Sequence, residues 1–312
     1  MELKNGSVVT EFVLIGFSAQ WELQIFFFVT FSLIYGATVF GNILIMLTVM
    51  FSSTLHSPMY FLLGNLSFLD MCLSTVTTPK MITDLLTVHK TISLWGCMTQ
   101  MFFMHLFGGA EMTLLIAMAF DRYVAICKPL HYRTIMSHKL LNGFVILSWV
   151  IGFTHTMSQM LLTVNLPFCG QNVIDNIFCD LPLVIKLACI ETYTLELFVI
   201  ADSGLLSFIC FILLLFSYTV ILVTVRQRSS GGLVKALSTL SAHIIVVTLF
   251  FGPCIFIYVW PFNSFEGNKI LSVFYTVITP LLNPIIYTLR NEKMQEAMRK
   301  LRFQHVSSTQ NF

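Results

Sequence analysis

Seven long apolar stretches constrain the fold of this chain more than any other feature. They lie near residues 24–50, 58–86, 93–127, 139–165, 195–225, 237–262 and 269–289. A helix needs about 20 apolar residues to cross the hydrocarbon core of a bilayer, and each stretch meets that length. The first stretch begins too far into the chain, and is too long, for a cleaved signal peptide. The sequence therefore predicts an all-α membrane protein, a bundle of seven transmembrane helices.

The scarcity of charge excludes the main water-soluble classes. Asp, Glu, Lys and Arg make up 10% of the chain, whereas a typical soluble domain contains roughly 25%. The net charge of +2 gives no reason to expect a nucleic-acid partner. The longest loop, near residues 166–194, is too short to hold a separate catalytic domain. We therefore expect one membrane domain over residues 1–312, surrounded by lipid and without enzymatic activity.

Lysine and arginine predict which way the bundle faces. Twelve of these 17 residues fall on one side, within 122–139, 226–235 and 290–302, and five fall on the other. Because positive residues concentrate in cytoplasmic loops, the first side is cytoplasmic. Residues 1–23 are then an extracellular N-terminus, 24–289 the bundle and 290–312 a cytoplasmic tail. Asn5, in the sequon Asn5-Gly6-Ser7, is a candidate glycan acceptor.

The tail carries an amphipathic pattern. Met294, Ala297, Met298 and Leu301 recur at helical spacing, and Lys and Arg occupy the other faces. Such a pattern is typical of a helix that lies on a membrane surface with its apolar side down. We expect a short C-terminal helix on the inner leaflet.

Four of the eight cysteines are predicted to lie outside the membrane. Cys97 is at the outer end of the third stretch, and Cys169, Cys179 and Cys189 are in the long loop. Extracellular thiols usually pair. We expect Cys97 to pair with Cys179 and Cys169 with Cys189, which would fold the loop over the bundle. The rival pairing joins Cys97 to Cys189. Cysteine spacing gives no indication of a zinc site.

Two carboxyl groups lie deep in the predicted membrane region, Asp70 in the second stretch and Glu111 in the third. Glu111 and Arg122 are eleven residues apart, which at about 100° per residue places them on one helix face. Two neighbouring carboxylates cannot both stay charged in a medium of low dielectric without a cation. Asp70 and Glu111 therefore either hold Na⁺ or share a proton, and both alternatives stay open. We expect no other cofactor.

Motifs along almost the whole chain resemble those of one family. They are GN at 41–42, LHSPMYFLLGNLSFLD at 55–70, PKM at 79–81, MAFDRYVAICKPLHY at 118–132, SY at 217–218, KALSTLSAHI at 235–244 and PLLNPIIYTLRN at 280–291. In this order and spacing they resemble the odorant (olfactory) receptors, a branch of the rhodopsin-like G-protein-coupled receptors. The outer loop with three cysteines also resembles that family, and the chain length and short tails resemble its larger (class II) group. Phe251 departs from the family, which usually has Tyr there.

The resemblance implies an odorant receptor of the plasma membrane. Such a receptor binds a small, mostly apolar volatile ligand and activates an olfactory-type stimulatory heterotrimeric G protein, which raises cyclic AMP. In a resting state Arg122 would pair with Asp121, and when freed it would meet the G protein and Tyr218. The residues implied in coupling and switching are Asp121, Arg122, Tyr123, Tyr218, Asn283, Pro284 and Tyr287.

A ligand pocket is expected in the outer third of the bundle, beneath the long loop. The candidate wall is mostly apolar, as suits a small hydrophobic ligand. Asp202 has no Lys or Arg on the facing helices, so it must be wet, protonated or matched by a donor, which a ligand could supply. The alternative for His105 is a hydrogen bond to a neighbouring helix or the loop. The candidates are Met104, His105, Gly108, Gly109, Asp202, Leu206, Phe251, Ile255, Tyr258, Val273 and Thr276.

Two other function classes are weaker. A transporter or channel would use Asp70 and Glu111 as an ion path, but inverted repeats and paired broken helices are not visible in the sequence. An intramembrane protease would need paired catalytic groups at one depth, whereas Asp70 and Asp202 fall in opposite halves of the membrane. The GxSxG and HExxH motifs are also absent from the sequence.

Overall fold

A computed structural model of the chain describes residues 9–17, 20–228, 232–259, 268–289 and 291–309. Within these ranges, six helices are long and apolar enough to cross a membrane, and a further helix contains a shorter apolar segment, His243–Val259. Together they form the seven-helix bundle that the apolar stretches predict. Asn5, the candidate glycan acceptor, lies outside the described residues.

The first four spans are single helices whose ends follow from the local sequence. They are α1 Trp21–Phe51, α2 Pro58–Leu86, α3 Leu94–Cys127 and α5 His138–Thr163, with the short α4 Tyr132–Ile135 before the last. Pro58 occupies the first turn of α2, where no intrahelical N–H donor is needed. The hydroxyl oxygens of Ser93 and Ser137 accept hydrogen bonds from the first-turn amides of α3 and α5.

The fifth and seventh spans each contain a π-helix, a wider turn that takes in an extra residue. In chain order the remaining helices are α6 Leu181–Ile185, α7 Tyr193–Val199, a π-helix Ile200–Leu205, α8 Leu206–Arg228, α9 Gly232–Val259, α10 Asn268–Val273, a π-helix Phe274–Ile278, α11 Thr279–Leu289 and α12 Glu292–Thr309. The fifth span thus runs from α7 to α8, the sixth is α9, and the seventh runs from α10 to α11.

Glycines bring helix backbones into direct contact inside the bundle. A Cβ on Gly152 of α5 would lie 2.6 Å from the carbonyl oxygen of Leu106 and 2.9 Å from the amide nitrogen of Ala110, both on α3. A Cβ on Gly204 would lie 2.5 Å from the carbonyl oxygen of Tyr258. Small residues permit such close approach between membrane helices. They hold the fourth span on the third, and the fifth on the sixth.

A small sheet covers the outer end of the bundle. Its strands are β1 Glu11–Leu14, β2 Thr91–Ser93 and β3 Val173–Ile174. The middle strand, β1, runs antiparallel to β2 and parallel to β3. β3 belongs to the loop of residues 164–192, which we call the lid. The Lys269 ammonium group of α10 donates to the carbonyl oxygen of Gly16 at 2.9 Å and pairs with Asp175 of the lid. The N-terminal segment, the lid and the seventh span are therefore joined.

The exterior of the bundle and its tail have the pattern expected at a membrane. Leu33, Phe40 and Phe216 project outward and are largely exposed, as suits side chains that contact lipid. Met294 and Ala297 of α12 are buried against the bundle, which gives this helix an apolar side towards the first span. The tail thus forms an amphipathic helix at the predicted place.

Candidate functional site

A small cavity lies beneath the lid, and every span except the first contributes to its wall. Its volume is about 30 Å³, which is room for about two water molecules. Gly108 gives part of this space, because a Cβ added there would meet nothing within 4 Å. The lining residues are Leu73, Met104, His105, Gly108, Gly109, Met112, His155, Ser203, Ser207, Phe250, Cys254, Tyr258 and Tyr275.

The structure brings together only part of the wall that the sequence suggests. Met104, His105, Gly108, Gly109 and Tyr258 line the cavity. The other candidates lie off it: Asp202, Leu206, Phe251, Ile255, Val273 and Thr276. In their place the fifth span contributes Ser203 and Ser207, the sixth Phe250 and Cys254, and the seventh Tyr275. The fifth and sixth spans thus present a face that lies one residue away from the expected one, and in the fifth and seventh spans a π-helix also interrupts the period of 3.6 residues per turn.

His105 is a buried polar residue on this wall. Its Nδ1 donates to the backbone carbonyl oxygen of Met101 at 2.8 Å. Its Nε2 is buried and makes no hydrogen bond in the described part of the chain. The ring centroid lies 6.0 Å from that of His155 and 6.1 Å from that of Tyr258. The Nδ1 edge of the imidazole is therefore hydrogen-bonded within α3, and the ring lies near side chains of the fourth and sixth spans.

Asp202 finds its partners on the fourth span, does not line the cavity, and is partly buried. Its Oδ2 accepts hydrogen bonds from the Ser158 hydroxyl and the Gln159 side-chain amide, both at 3.0 Å. The same oxygen lies 3.1 Å from Nδ1 of His155. The Gln159 amide also donates to the Ser203 hydroxyl oxygen. The donor that the sequence requires for Asp202 is thus supplied by the protein itself, and the cluster links the fourth span to the fifth.

Two disulfides shape the lid. Cys97 is bonded to Cys179 and Cys169 to Cys189, which is the pairing expected from the sequence rather than its rival. The amide of Cys179 also donates to the Gln100 side-chain oxygen at 2.9 Å. The middle of the lid is therefore fixed to α3, directly above the cavity.

Asp180 connects the lid to the sixth span. Its carboxylate accepts a hydrogen bond from the Tyr258 hydroxyl at 3.1 Å, and both residues are buried. Burial raises the pKa of Asp180 to about 6, although the hydrogen bonds from Tyr258 and the Leu181 amide oppose that increase. Because Tyr258 also lines the cavity, one side chain contacts both the lid and the space beneath it.

The two intramembrane carboxyls meet in the middle of the bundle. Asp70 and Glu111 are completely buried and lie beside one another. The Asn283 side-chain amide donates to both oxygens of Asp70, at 3.0 and 2.8 Å. Neither oxygen of Glu111 makes a hydrogen bond in the described part of the chain. Asn283 of the seventh span thus joins the pair that the sequence predicts.

The cytoplasmic end of α3 differs from the expected ion pair. Among the described residues Asp121 and Arg122 form no salt bridge with each other, although they are adjacent in the sequence. Asp121 instead accepts a hydrogen bond from the Tyr132 hydroxyl at 2.7 Å, and Arg122 points towards the Met59 sulfur of α2. Successive residues of a helix project in directions about 100° apart, which separates the two charges. Burial raises the pKa of Tyr132, so the phenol keeps the proton that it donates.

The remaining switch candidates lie around the same end. The Tyr218 hydroxyl forms a hydrogen bond with Nδ1 of His243, which links α8 to α9. Tyr123 is partly buried in the core. Pro284 lies inside α11, and its ring is so close to α1 that a Cβ on Gly41 would lie 3.0 Å from it. The side chain of Tyr287 lies outside the described part of the chain.

Sequence reasoning missed a polar cluster that the structure makes conspicuous. His155, Ser158 and Gln159 interrupt the fourth apolar stretch, and His155 and Gln159 are four residues apart. Polar residues at that spacing share a helix face, and inside a membrane they need partners. This signal was available in the sequence. Tyr132 and His243 carried no comparable signal, because a loop tyrosine and a lone histidine fit many environments.

Comparison with known proteins decides the family. A family model described as olfactory receptor matches residues 31–305. The chain belongs to the olfactory receptor family. It is 84% identical to human Olfactory receptor 4L1 over 312 residues, the full length of both chains. It is 65% identical to human Olfactory receptor 4K3 over 301 residues, 96% of each chain. This olfactory receptor is accordingly a multi-pass protein of the plasma membrane, and its family consists of receptors rather than enzymes.

Proposed function

We propose that this olfactory receptor binds a small, mostly apolar odorant in the cavity beneath the lid. Binding activates an olfactory-type stimulatory heterotrimeric G protein, and cyclic AMP rises. The observation that carries the proposal is the path of α3. Its outer half supplies Met104 and His105 to the cavity wall, and its inner end carries Arg122. One continuous helix therefore connects the ligand space with the cytoplasmic surface.

The size of the cavity supports a mechanism of gating. At about 30 Å³ it is much smaller than the roughly 300–1,000 Å³ of a typical ligand pocket. An odorant must therefore displace side chains or whole spans as it binds. Met104 and Met112 can move first, because thioether side chains are flexible. A ligand that binds the widened bundle more tightly than the closed one shifts the population towards the widened state.

The cytoplasmic end supplies a contact that such a movement would break. The Tyr218–His243 hydrogen bond joins the fifth and sixth spans, and His243 lies within electrostatic reach of Arg122. If the sixth span moves outward, this bond separates and Arg122 becomes accessible from the cytoplasm. The G protein then meets a positive group that the closed bundle keeps partly buried.

For the Asp70–Glu111 pair, a bound sodium ion and a shared proton are both compatible with this proposal. The unpartnered oxygens of Glu111 are suited to a cation, and equally to a proton shared with Asp70. Replacing sodium with choline in the assay distinguishes them, because only a sodium site responds to that exchange. Glu111→Gln is the matching variant, since it removes the charge and keeps the shape.

Arg122→Ala tests the coupling. Cells that express the receptor with a cyclic-AMP reporter are exposed to a panel of odorants, and surface expression is measured in parallel. The variant should lose the cyclic-AMP response while remaining at the surface. Arg133→Ala is the control, because Arg133 is exposed on the same side of the membrane and should leave the response intact. An Arg122→Ala receptor that reaches the surface and signals normally would refute this role, and odorant-dependent current in liposomes without G protein would favour a channel.

A further inference from the structure

His105 has one ring nitrogen with a fixed partner and one with none. The Met101 oxygen, 2.8 Å from Nδ1, is a backbone carbonyl and can only accept a hydrogen bond. Nδ1 therefore carries a proton, and in a neutral imidazole Nε2 is then a bare acceptor. Since Nε2 is buried and without a partner in the described part of the chain, the wall presents an acceptor whose hydrogen bond is still to be made.

The ring is neutral in these surroundings. His105 is 6% exposed, and the ring of His155, whose Nδ1 lies 3.1 Å from Asp202, is its polar neighbour at 6.0 Å. A positive charge on His105 would be uncompensated in this buried site, because Asp202 already interacts with His155, and such burial is unfavourable. The same argument applies to a ligand ammonium group, because the described residues place no carboxylate on the cavity wall.

Most other polar groups of the wall are already engaged, whereas the Tyr275 hydroxyl is, like Nε2 of His105, buried and without a hydrogen-bond partner in the described part of the chain. The Ser207 hydroxyl donates to the Ser203 carbonyl oxygen at 2.6 Å, and the Tyr258 hydroxyl donates to Asp180 at 3.1 Å. Nε2 of His155 lies 3.4 Å from the Gln159 amide. These hydrogen bonds are made within the protein, so they do not depend on a ligand. His105 differs from the engaged groups, because its Nε2 has no donor among the described residues, and unlike the Tyr275 hydroxyl it can only accept a hydrogen bond.

We propose that a hydrogen bond donated by the ligand to Nε2 of His105 selects the odorants of this receptor, and that its ligands are neutral alcohols or phenols. The inference rests on the proposed function, since it assigns the odorant to this cavity. An ether, ketone or aldehyde of the same skeleton has no donor and leaves Nε2 buried and unpaired. The penalty for one unsatisfied buried group corresponds to a loss of about 10- to 100-fold in affinity.

The test measures binding and signalling separately. Purified receptor is titrated with octanol, octyl methyl ether and octanal, and with ethylphenol and ethylanisole, and binding is followed by thermal stabilisation. The same compounds are applied to cells with a cyclic-AMP reporter. Octanol and ethylphenol should act at concentrations about 10- to 100-fold lower than their partners without a hydroxyl group.

Three variants assign this discrimination to one atom. His105→Phe keeps a ring and removes the acceptor, so the ratio between alcohol and ether should fall to about 1. His105→Gln retains an acceptor oxygen and should preserve the preference. Met104→Leu changes an apolar part of the same wall, so it should shift alcohol and ether equally. If His105→Phe fails to reach the membrane, the ratio between alcohol and ether in the wild type and in the other two variants still tests the proposed ligand class.

The outcomes separate the ligand class from the proposed function. Stabilisation by alcohols without cyclic AMP would support the ligand class and contradict the signalling function. Cyclic AMP released equally by ethers and alcohols would support the function and overturn the ligand class. A preference that survives in His105→Phe would also overturn it, as would the absence of stabilisation by every compound of both series.

Discussion

Asp180→Asn should stabilise the lid near neutral pH and leave it unchanged in acid. Burial raises the pKa of Asp180 from 3.8 to about 6 in the folded receptor. The folded state therefore holds the proton more tightly than the unfolded lid does, so stability falls as pH rises from about 4 to about 6. The difference between the two pKa values corresponds to about 3 kcal/mol at pH 7. Asparagine avoids that penalty, and its carbonyl oxygen can still accept from Tyr258.

Hydrogen exchange of the lid amides measures this effect locally. Wild type and Asp180→Asn are compared at the same pH, so the intrinsic exchange rates cancel. Protection of residues 179–187 should be nearly equal at about pH 3 and about 100-fold greater in the variant at about pH 7. The nearby ionisable side chains, Cys254, Tyr258 and Tyr275, are neutral over this range. Glu191→Gln is the control, because Glu191 is an exposed residue of the lid and its replacement should leave the protection unchanged at both pH values. Equal protection of wild type and Asp180→Asn at neutral pH would refute the reasoning.

Three further substitutions or measurements follow from the packing. Gly152→Ala should lower surface expression, because its methyl group would overlap the backbone of α3 and such overpacking costs about 1–3 kcal/mol or more. The control is Gly143→Ala, which should express normally because a Cβ there meets nothing within 4 Å. Asp202→Asn should weaken all agonists by a common factor, because it loosens the fourth span from the fifth, and a changed ranking of agonists would instead place Asp202 in the ligand site. Peptide mapping without reduction should recover Cys169 joined to Cys189, whereas a Cys97–Cys189 peptide would contradict the structure.

The bundle could be predicted from the sequence because lipid imposes simple requirements. Each span must be apolar over its whole length, and a backbone without water must satisfy its own hydrogen bonds as a helix. The starts of helices can also be predicted from nearby residues, as Pro58 shows for α2 and Ser137 for α5. The disulfides were also within reach, since four cysteines on one side allow few pairings. These features depend on composition, length and nearby residues.

The wall of the cavity could be predicted only in part, because it depends on which helices meet and in what phase. The face of α3 was correctly placed, since this helix is uninterrupted from Leu94 to Cys127. The face of the fifth span was displaced by one residue, from Asp202 to Ser203, beyond the reach of a periodicity argument. A π-helix has no strong sequence signature. Here it coincides with the close approach of Gly204 to Tyr258, which is a contact between distant parts of the chain.

The small outer sheet has a consequence for how the receptor is made. Its middle strand, β1, is synthesised first, but its two partners leave the ribosome much later. The Asn172 side-chain amide of the lid donates to the Glu11 carbonyl oxygen across 161 residues, and Lys269 reaches Gly16 across 253. An unpaired strand is prone to pair with other chains, so β1 is exposed to that hazard until β2 and, after the fourth span, β3 have been synthesised. Defects in residues 11–14 should therefore appear as failed biogenesis and retention in the cell rather than as altered ligand recognition.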